Sequence, residues 1–115
     1  MDEQKATLLI VEDDTFTRTS MTAYLTAEGY SVSKAANGVE ALRVIADQEP
    51  DLVITDLRMP EMGGLELLKN LKEDLPHLPV IIISGEGTMG SVIEALQLGA
   101  RDYLQKPIQD MGLLK

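Results

Sequence analysis

Residues Asp51 to Pro60 read DLVITDLRMP, and the reading of this stretch decides the fold. Leu52, Val53 and Ile54 form a short run rich in β-branched residues, preceded by Pro50, which predicts a strand with Asp56 at its carboxyl end. Open α/β sheets place their ligands at that end. Alone, the acid has an ordinary reading, because Asp often starts a turn or caps the next helix. Its neighbours favour another. Met59-Pro60 directs the chain away from the sheet, and Gly63-Gly64 offers dihedral freedom to enter a following helix. Asp56 is thereby left at an exposed rim, where it can meet water, metal or substrate.

On the amino-terminal side, Thr7 to Val11 (TLLIV) reads as a continuous apolar strand, followed at once by Glu12-Asp13-Asp14. From Thr15 to Glu28 a helical spacing brings Phe16, Met21, Tyr24 and Leu25 towards one side, and Gly29 supplies a stop. Asp14 is placed to cap this helix. Tyr30 to Lys34 (YSVSK) alternates apolar and polar residues, as a peripheral strand does. Asn37-Gly38 makes a turn, and Val39, Leu42, Val44, Ile45 and Ala46 give a helix that Pro50 closes off.

On the carboxyl-terminal side, Leu65, Leu67, Leu68 and Leu71 predict an amphipathic helix, and Pro76-His77-Leu78-Pro79 is a rigid connector into a strand over Val80 to Ile83 that ends on Ser84. The loop Gly85-Glu86-Gly87 precedes a helix from about Thr88 to Leu98 carrying Val92, Ile93, Leu96 and Leu98, which Gly99 ends. Asp102 to Leu104 makes a short fifth strand with Lys106-Pro107 just beyond. Asp110 can cap a last helix, but the residues after it make fewer than two turns.

Strand and helix alternate five times, which argues for a parallel sheet covered by helices on both faces. The expectation is an α/β, doubly wound, flavodoxin-like (βα)5 domain over residues 1–115, strand order 2-1-3-4-5, with a truncated fifth helix. Right-handed crossovers place every strand's carboxyl end along one edge. Glu12, Asp13, Asp56, Ser84 and Lys106 all occupy such ends, and the first and third strands are neighbours in this order.

Three converging carboxylates repel one another, so a cation is expected among them, and an oxygen-rich site suits Mg2+. Lys106 adds a positive charge across the cleft. A carboxylate, a divalent cation, a hydroxyl and a lysine around one point are what phosphoryl transfer to an aspartate requires. Asp56 is the expected nucleophile; Glu12 and Asp13 would hold Mg2+ directly or through water, and Ser84 Oγ and Lys106 would each bond a phosphoryl oxygen. Taken singly, Ser84 could equally satisfy a strand end, and Lys106 could be a solvated charge.

Composition narrows the alternatives. The 115 residues make one domain, long enough to bury about two thirds of the surface of the unfolded chain without disulfides or a structural metal. The chain has no Cys, a polar acidic start and no long apolar run, and is expected to be cytoplasmic and off the membrane. With 19 Asp plus Glu against 10 Lys plus Arg, the net charge of -9 disfavours direct nucleic-acid binding. Tyr24, Tyr30, Tyr103 and Phe16 are the only aromatics, and the basic residues are scattered, so no stacking platform forms. Met59, Met62, Met89 and Met111 fit packing, and His77 fits a solvent histidine.

Four motifs now stand in order. LLIVEDD carries the acidic pair Glu12-Asp13, ITDLRMP carries Asp56, IIISG carries Ser84, and DYLQKP carries Tyr103 and Lys106. Over nearly the whole chain they resemble the response-regulator receiver domains of bacterial two-component signalling. The resemblance implies a domain, not an enzyme with an external substrate, that takes phosphate from the phosphohistidine of a sensor histidine kinase or phosphotransfer protein onto Asp56 with Mg2+ and hydrolyses it slowly. It implies a further metal ligand at the backbone carbonyl of Arg58. Ser84 and Tyr103 would form the switch, Ser84 moving towards the phosphoryl group and Tyr103 turning inward. The face made by the fourth helix, fifth strand and fifth helix would be reshaped, and the Lys106-Pro107 bond would be cis.

Receivers usually finish with a full fifth helix, whereas Ile108 to Lys115 supplies only a beginning that contains Gly112. The expectation is a piece of a longer regulator, its effector domain in the same chain or a downstream protein. Leu104, Leu113, Leu114 and the fourth-helix flank would then be partly uncovered, favouring modest stability or a homodimer through that face. Gly85 beside Ser84, where many receivers have Ala, should loosen the loop. The tail KPIQD faintly resembles regulators of stationary-phase sigma factor turnover or those with a phosphatase effector. Two enzyme-like or carrier classes fit poorly. Glu12, Asp14 and Phe16 miss the pattern of haloacid-dehalogenase-like phosphatases, and the acidic run after the first strand would repel the phosphate of FMN. A receiver-like interaction module working without phosphorylation remains the alternative.

Overall fold

The computed structural model describes residues 6–57, 59, 61–85 and 89–105. Five strands and four helices alternate: β1 (Thr7–Val11), α1 (Thr15–Ala27), β2 (Ser31–Ala35), α2 (Gly38–Asp47), β3 (Leu52–Asp56), α3 (Gly64–Asp74), β4 (Val80–Ser84), α4 (Met89–Gln97) and β5 (Asp102–Gln105). The strands form one parallel sheet in the order β2-β1-β3-β4-β5, as the alternation predicted. A fifth helix, and with it the expected truncation, lies outside the described residues.

Side-chain alternation along each strand divides the core into two layers. Leu9, Val11, Val53, Val80 and Ile82 face a layer completed by Ala41 and Ile45 of α2, Leu67, Leu68 and Leu71 of α3, and Ala95 of α4. Leu8, Ile10, Ile54 and Ile83 face the other, where Met21 and Leu25 of α1 pack. Leu9, Leu25, Val53, Leu67 and Leu68 are fully buried, each stabilising the fold by about 1.5–3 kcal/mol relative to exposure. The central strands are apolar on both sides because helices cover both faces. At the margin, β2 has only one buried residue, Ala35.

The helix ends follow their sequence signals. Asp14 caps α1, its Oδ2 accepting from the Thr17 amide at 2.8 Å and from Thr17 Oγ1 at 2.6 Å. Asn37 caps α2 by accepting from the Glu40 amide at 2.9 Å, while Glu40 Oε1 reaches back to the Ala36 amide at 3.0 Å. Gly29 and Gly99, with φ of 101° and 104°, end α1 and α4 in the left-handed region that glycine enters without strain.

Three expectations need correction. Phe16 is 79% exposed and not on the core side of α1; it lies nine residues before Leu25, which at about 100° per residue puts it on the opposite face. Ala46 of α2 and Ile93 and Leu96 of α4 are also exposed; α2 buries Ile45 as expected, together with Gly38 and Ala41, and α4 buries the small Ala95. Gly63 and Gly64 do not supply positive φ. A Cβ on Gly64 would overlap the main-chain oxygen of Asp56, and one on Gly63 would come within 2.8 Å of the Leu57 oxygen. Close approach is what requires glycine there. Among the described residues of this connection, the left-handed one is Glu61, with φ of 69°. His77 is exposed as expected, and its Nε2 lies 2.7 Å from Glu49 Oε2.

Candidate functional site

The pairing of β1 with β3 aligns Val11 with Thr55, so the next residue of each strand's run, Glu12 and Asp56, emerges at the same edge. One carboxylate oxygen from each of Glu12, Asp13 and Asp56 falls within 4.8 Å of the others. Mg2+ holds oxygens at about 2.0–2.1 Å, so opposite ligands of one ion stand about 4 Å apart. The three carboxylates therefore fit a single small cation, with small side-chain movement or water completing the shell. Glu12 is buried, Asp56 half-buried and Asp13 exposed, which leaves the cluster open to solvent on one side.

Backbone geometry fixes these groups. The Glu12 amide donates to Ala35 O at 3.0 Å, which ties the end of β1 to β2. Glu12 Oε2 accepts from the Asp14 amide at 3.0 Å, so its buried charge is met by the turn that starts α1. Asp56 Oδ1 accepts from the Leu57 amide at 2.6 Å, which sets the rotation of the acceptor carboxyl. Thr55, fully buried, donates from Oγ1 to Asp56 O at 3.0 Å. Behind the strand, Gly64 N–H donates to Leu57 O at 2.8 Å, and the absence of a Cβ at Gly64 lets α3 start against Asp56 itself.

Ser84 ends β4, 2% exposed, on the strand next to β3, where Asp56 pairs with Ile83. It pairs in turn with Gln105 of β5. Tyr103, two residues before Gln105, is opposite Ile82 and packs with the layer that contains Ala95 and Ala100. Its Oη is buried and makes no hydrogen bond among the described residues. Lys106, Pro107 and Arg58 lie outside the described residues, and so does the expected cis bond. The structure thus brings Glu12, Asp13 and Asp56 together and sets Ser84 on the adjoining strand end.

Two contributors escaped the sequence reading. Arg18, one turn into α1, donates from Nη1 to the main-chain oxygen of Glu12 at 2.7 Å. Its signal was only a lone basic residue six positions after Glu12. Met62 and Glu61 dock on Asn37 and Gly38 at the start of α2, a contact between segments more than twenty residues apart that no periodicity announces.

A doubly wound sheet with a carboxylate cluster at the carboxyl ends of its central strands defines a class of α/β domain that works at that edge. Comparison with known proteins narrows the class. The family described as response regulator receiver domain matches residues 8–115, and the chain belongs to it. It is 41% identical over 113 residues to the transcriptional regulatory protein GlrR of Escherichia coli K12, covering 98% of this chain and 26% of that protein. It is 37% identical over 108 residues to the Regulator of RpoS of the same strain, covering 94% of this chain and 32% of that one. It therefore spans about a quarter to a third of these relatives. Among solved structures, a response regulator receiver domain protein from Clostridium thermocellum superposes with a TM-score of 0.89 at 32% identity, covering 96% of this chain and 88% of that one. With both a transcriptional regulatory protein and a Regulator of RpoS among the relatives, no single subgroup is singled out. Among the described residues, no helix is long and apolar enough to cross a membrane.

Proposed function

We propose that this chain is a phospho-accepting signalling domain that receives a phosphoryl group on Asp56 from the phosphohistidine of a sensor histidine kinase or phosphotransfer protein. The observation that carries this reading is the convergence of Glu12, Asp13 and Asp56 oxygens within 4.8 Å at one edge of the sheet. An oxygen of the Asp56 carboxylate attacks phosphorus; the O–P bond forms as the P–N bond to the donor imidazole breaks, and that nitrogen leaves with the electron pair. The Leu57 amide, bonded to Oδ1, holds the carboxyl in its rotation during attack. When bound, Mg2+ would offset part of the negative charge of the carboxylates and of the phosphoryl oxygens.

Glu12 and Asp13 are the residues that would hold Mg2+, with Asp56 and the carbonyl of Arg58. Ser84 Oγ and the Lys106 ammonium would each bond a phosphoryl oxygen. Ser84 and Tyr103 would carry the switch to an output surface, so the chain catalyses only its own phosphorylation and slow dephosphorylation. The effector is a domain in the same polypeptide or a downstream protein. The exposure of Ile93 and Leu96, at 47% and 48%, supports a homodimer through the face of α4, β5 and the segment after it. We place the protein in the cytoplasm, with no direct nucleic-acid or membrane contact through this domain.

The test is intact mass after incubation with acetyl phosphate and Mg2+, beside Asp56→Asn and an EDTA control. Gain of one phosphoryl group in the wild type alone is the expected result. No gain, with the fold intact by circular dichroism, would leave a phosphorylation-independent interaction module as the function.

A further inference from the structure

Leu57, Met59 and Glu61 to Gly63, the described residues between Asp56 and α3, belong to no helix or strand, yet this connection must keep the acceptor strand in register with the acidic pair on β1. Its near end is held by the Gly64 amide on Leu57 O at 2.8 Å. Its far end is held by α2. The Gly38 amide donates to Met62 O at 3.0 Å, and Asn37 Nδ2 lies 3.4 Å from Glu61 Oε1. The Met62 side chain lies across Gly38 so closely that a Cβ there would come 2.6 Å from Met62 Cγ and 2.8 Å from its Cβ and Sδ. Since Met62 Cβ is one of these atoms, a rotamer change alone cannot make room, and the Met62 backbone must shift. Glu61, just before it, adopts φ of 69°, a conformation that non-glycine residues hold only when their surroundings impose it.

We propose that Gly38 and Met62 form a positioning contact through which the amino end of α2 fixes the backbone that follows Asp56, and so sets the affinity of the acidic site for Mg2+. The part concerning Mg2+ rests on Asp56 being the phospho-acceptor. Neither residue touches the reacting atoms. Gly38 acts through Met62, and Met62 acts through the path back to Leu57, whose amide orients the Asp56 carboxyl.

The experiment compares this chain with Gly38→Ala, Met62→Gly and the double variant. Mg2+ titration and amide hydrogen exchange without metal are followed by NMR, and phosphoryl uptake from acetyl phosphate by intact mass. Gly38→Ala should weaken Mg2+ binding by about tenfold, the lower range for a residue that supports a metal ligand from outside the coordination shell. It should speed exchange at Leu57 and Gly64 while Leu9 and Ile54 in the sheet keep their protection. The double variant, which loses Met62 Cβ as well as Cγ and Sδ, should recover at least about threefold of the affinity. Wild-type affinity and exchange in Gly38→Ala would overturn the proposal. So would equal acceleration of exchange across the sheet, which would mark general destabilisation, or no recovery in the double variant. If the wild type itself binds no Mg2+ and takes up no phosphoryl group, the function proposed for Asp56 fails, and exchange at Leu57 and Gly64 alone decides the contact.

Discussion

Arg18 Nη1 donates a 2.7 Å hydrogen bond to the main-chain oxygen of Glu12, so a cation on α1 holds the backbone of the acidic pair from behind. Two effects of this arginine on a bound cation oppose each other. Its charge repels Mg2+, but in 0.15 M salt an interaction between partly exposed charges amounts to roughly 0–1 kcal/mol. The hydrogen bond from its charged donor contributes about 1.5–3 kcal/mol to holding the Glu12 backbone. The positional effect is the larger. Arg18→Ala should therefore weaken Mg2+ binding several-fold in a titration at that salt; tighter binding would mean that charge dominates.

Removing one acid should separate the cost of the cluster from its use. Asp13 is exposed, so Asp13→Asn relieves repulsion at little structural expense and should raise the melting temperature slightly in EDTA, by up to about 1 kcal/mol of stability. With Mg2+ at ten times its dissociation constant, the wild type gains about 1.4 kcal/mol from binding the folded state alone. Asp13→Asn should lose most of that gain at the same Mg2+ concentration. Calorimetry of both proteins in EDTA and in Mg2+ gives the comparison. An equal Mg2+ gain in the variant would remove Asp13 from the metal site.

Gly64 meets backbone, not a side chain, which makes it less forgiving than Gly38. Its added Cβ would overlap the Asp56 oxygen, and neither the strand end nor the start of α3 can yield without breaking the Gly64 to Leu57 hydrogen bond. Gly64→Ala should cost roughly 2–4 kcal/mol in urea unfolding, although alanine is the better helix former. A variant as stable as the wild type would show that α3 can slide along the strand.

These cases mark where the sequence is legible. The runs TLLIV, LVI and VIII are apolar on both sides because helices cover both faces, so strand count and the edge where acids gather follow from local pattern and handedness, while the sheet order is the one typical of five-stranded doubly wound domains. The convergence of Glu12 with Asp56 follows from strand order alone. What escaped depends on distance between backbones. Phe16 looked like a core residue because any large apolar side chain does, yet its angular position on α1 was wrong for burial. Ala41 and Ala95 are buried because they are small, which a search for large apolar residues passes over. Gly63-Gly64 reads in sequence as dihedral freedom to enter α3, and is a place where two backbones nearly touch.

The α4 surface yields a prediction about assembly. Ile93 and Leu96 stand exposed on a helix that buries Ala95. Replacing both with Asp should change stability by less than about 1 kcal/mol, as expected for exposed positions, while abolishing any concentration-dependent increase in mass by light scattering. A dimer that survives the double substitution would place its interface elsewhere.

Tyr103 presents an imbalance that a single atom can test. Its ring packs against the core layer on the α4 side of the sheet, but its buried Oη finds no hydrogen-bond partner among the described residues. Burying a hydroxyl without a partner costs about 1–3 kcal/mol, whereas the ring contributes its apolar area whether or not the oxygen is present. Tyr103→Phe keeps the ring and deletes the oxygen that has no partner among the described residues, so it should raise the stability of the unphosphorylated protein by about 1 kcal/mol in urea unfolding. If phosphorylation at Asp56 gives Oη a partner, the gain should shrink or reverse after treatment with acetyl phosphate and Mg2+. The difference between the two conditions then measures the bond formed on switching. A loss of stability before phosphorylation would show instead that Oη is already bonded in solution, and that this bond helps hold the ring in place.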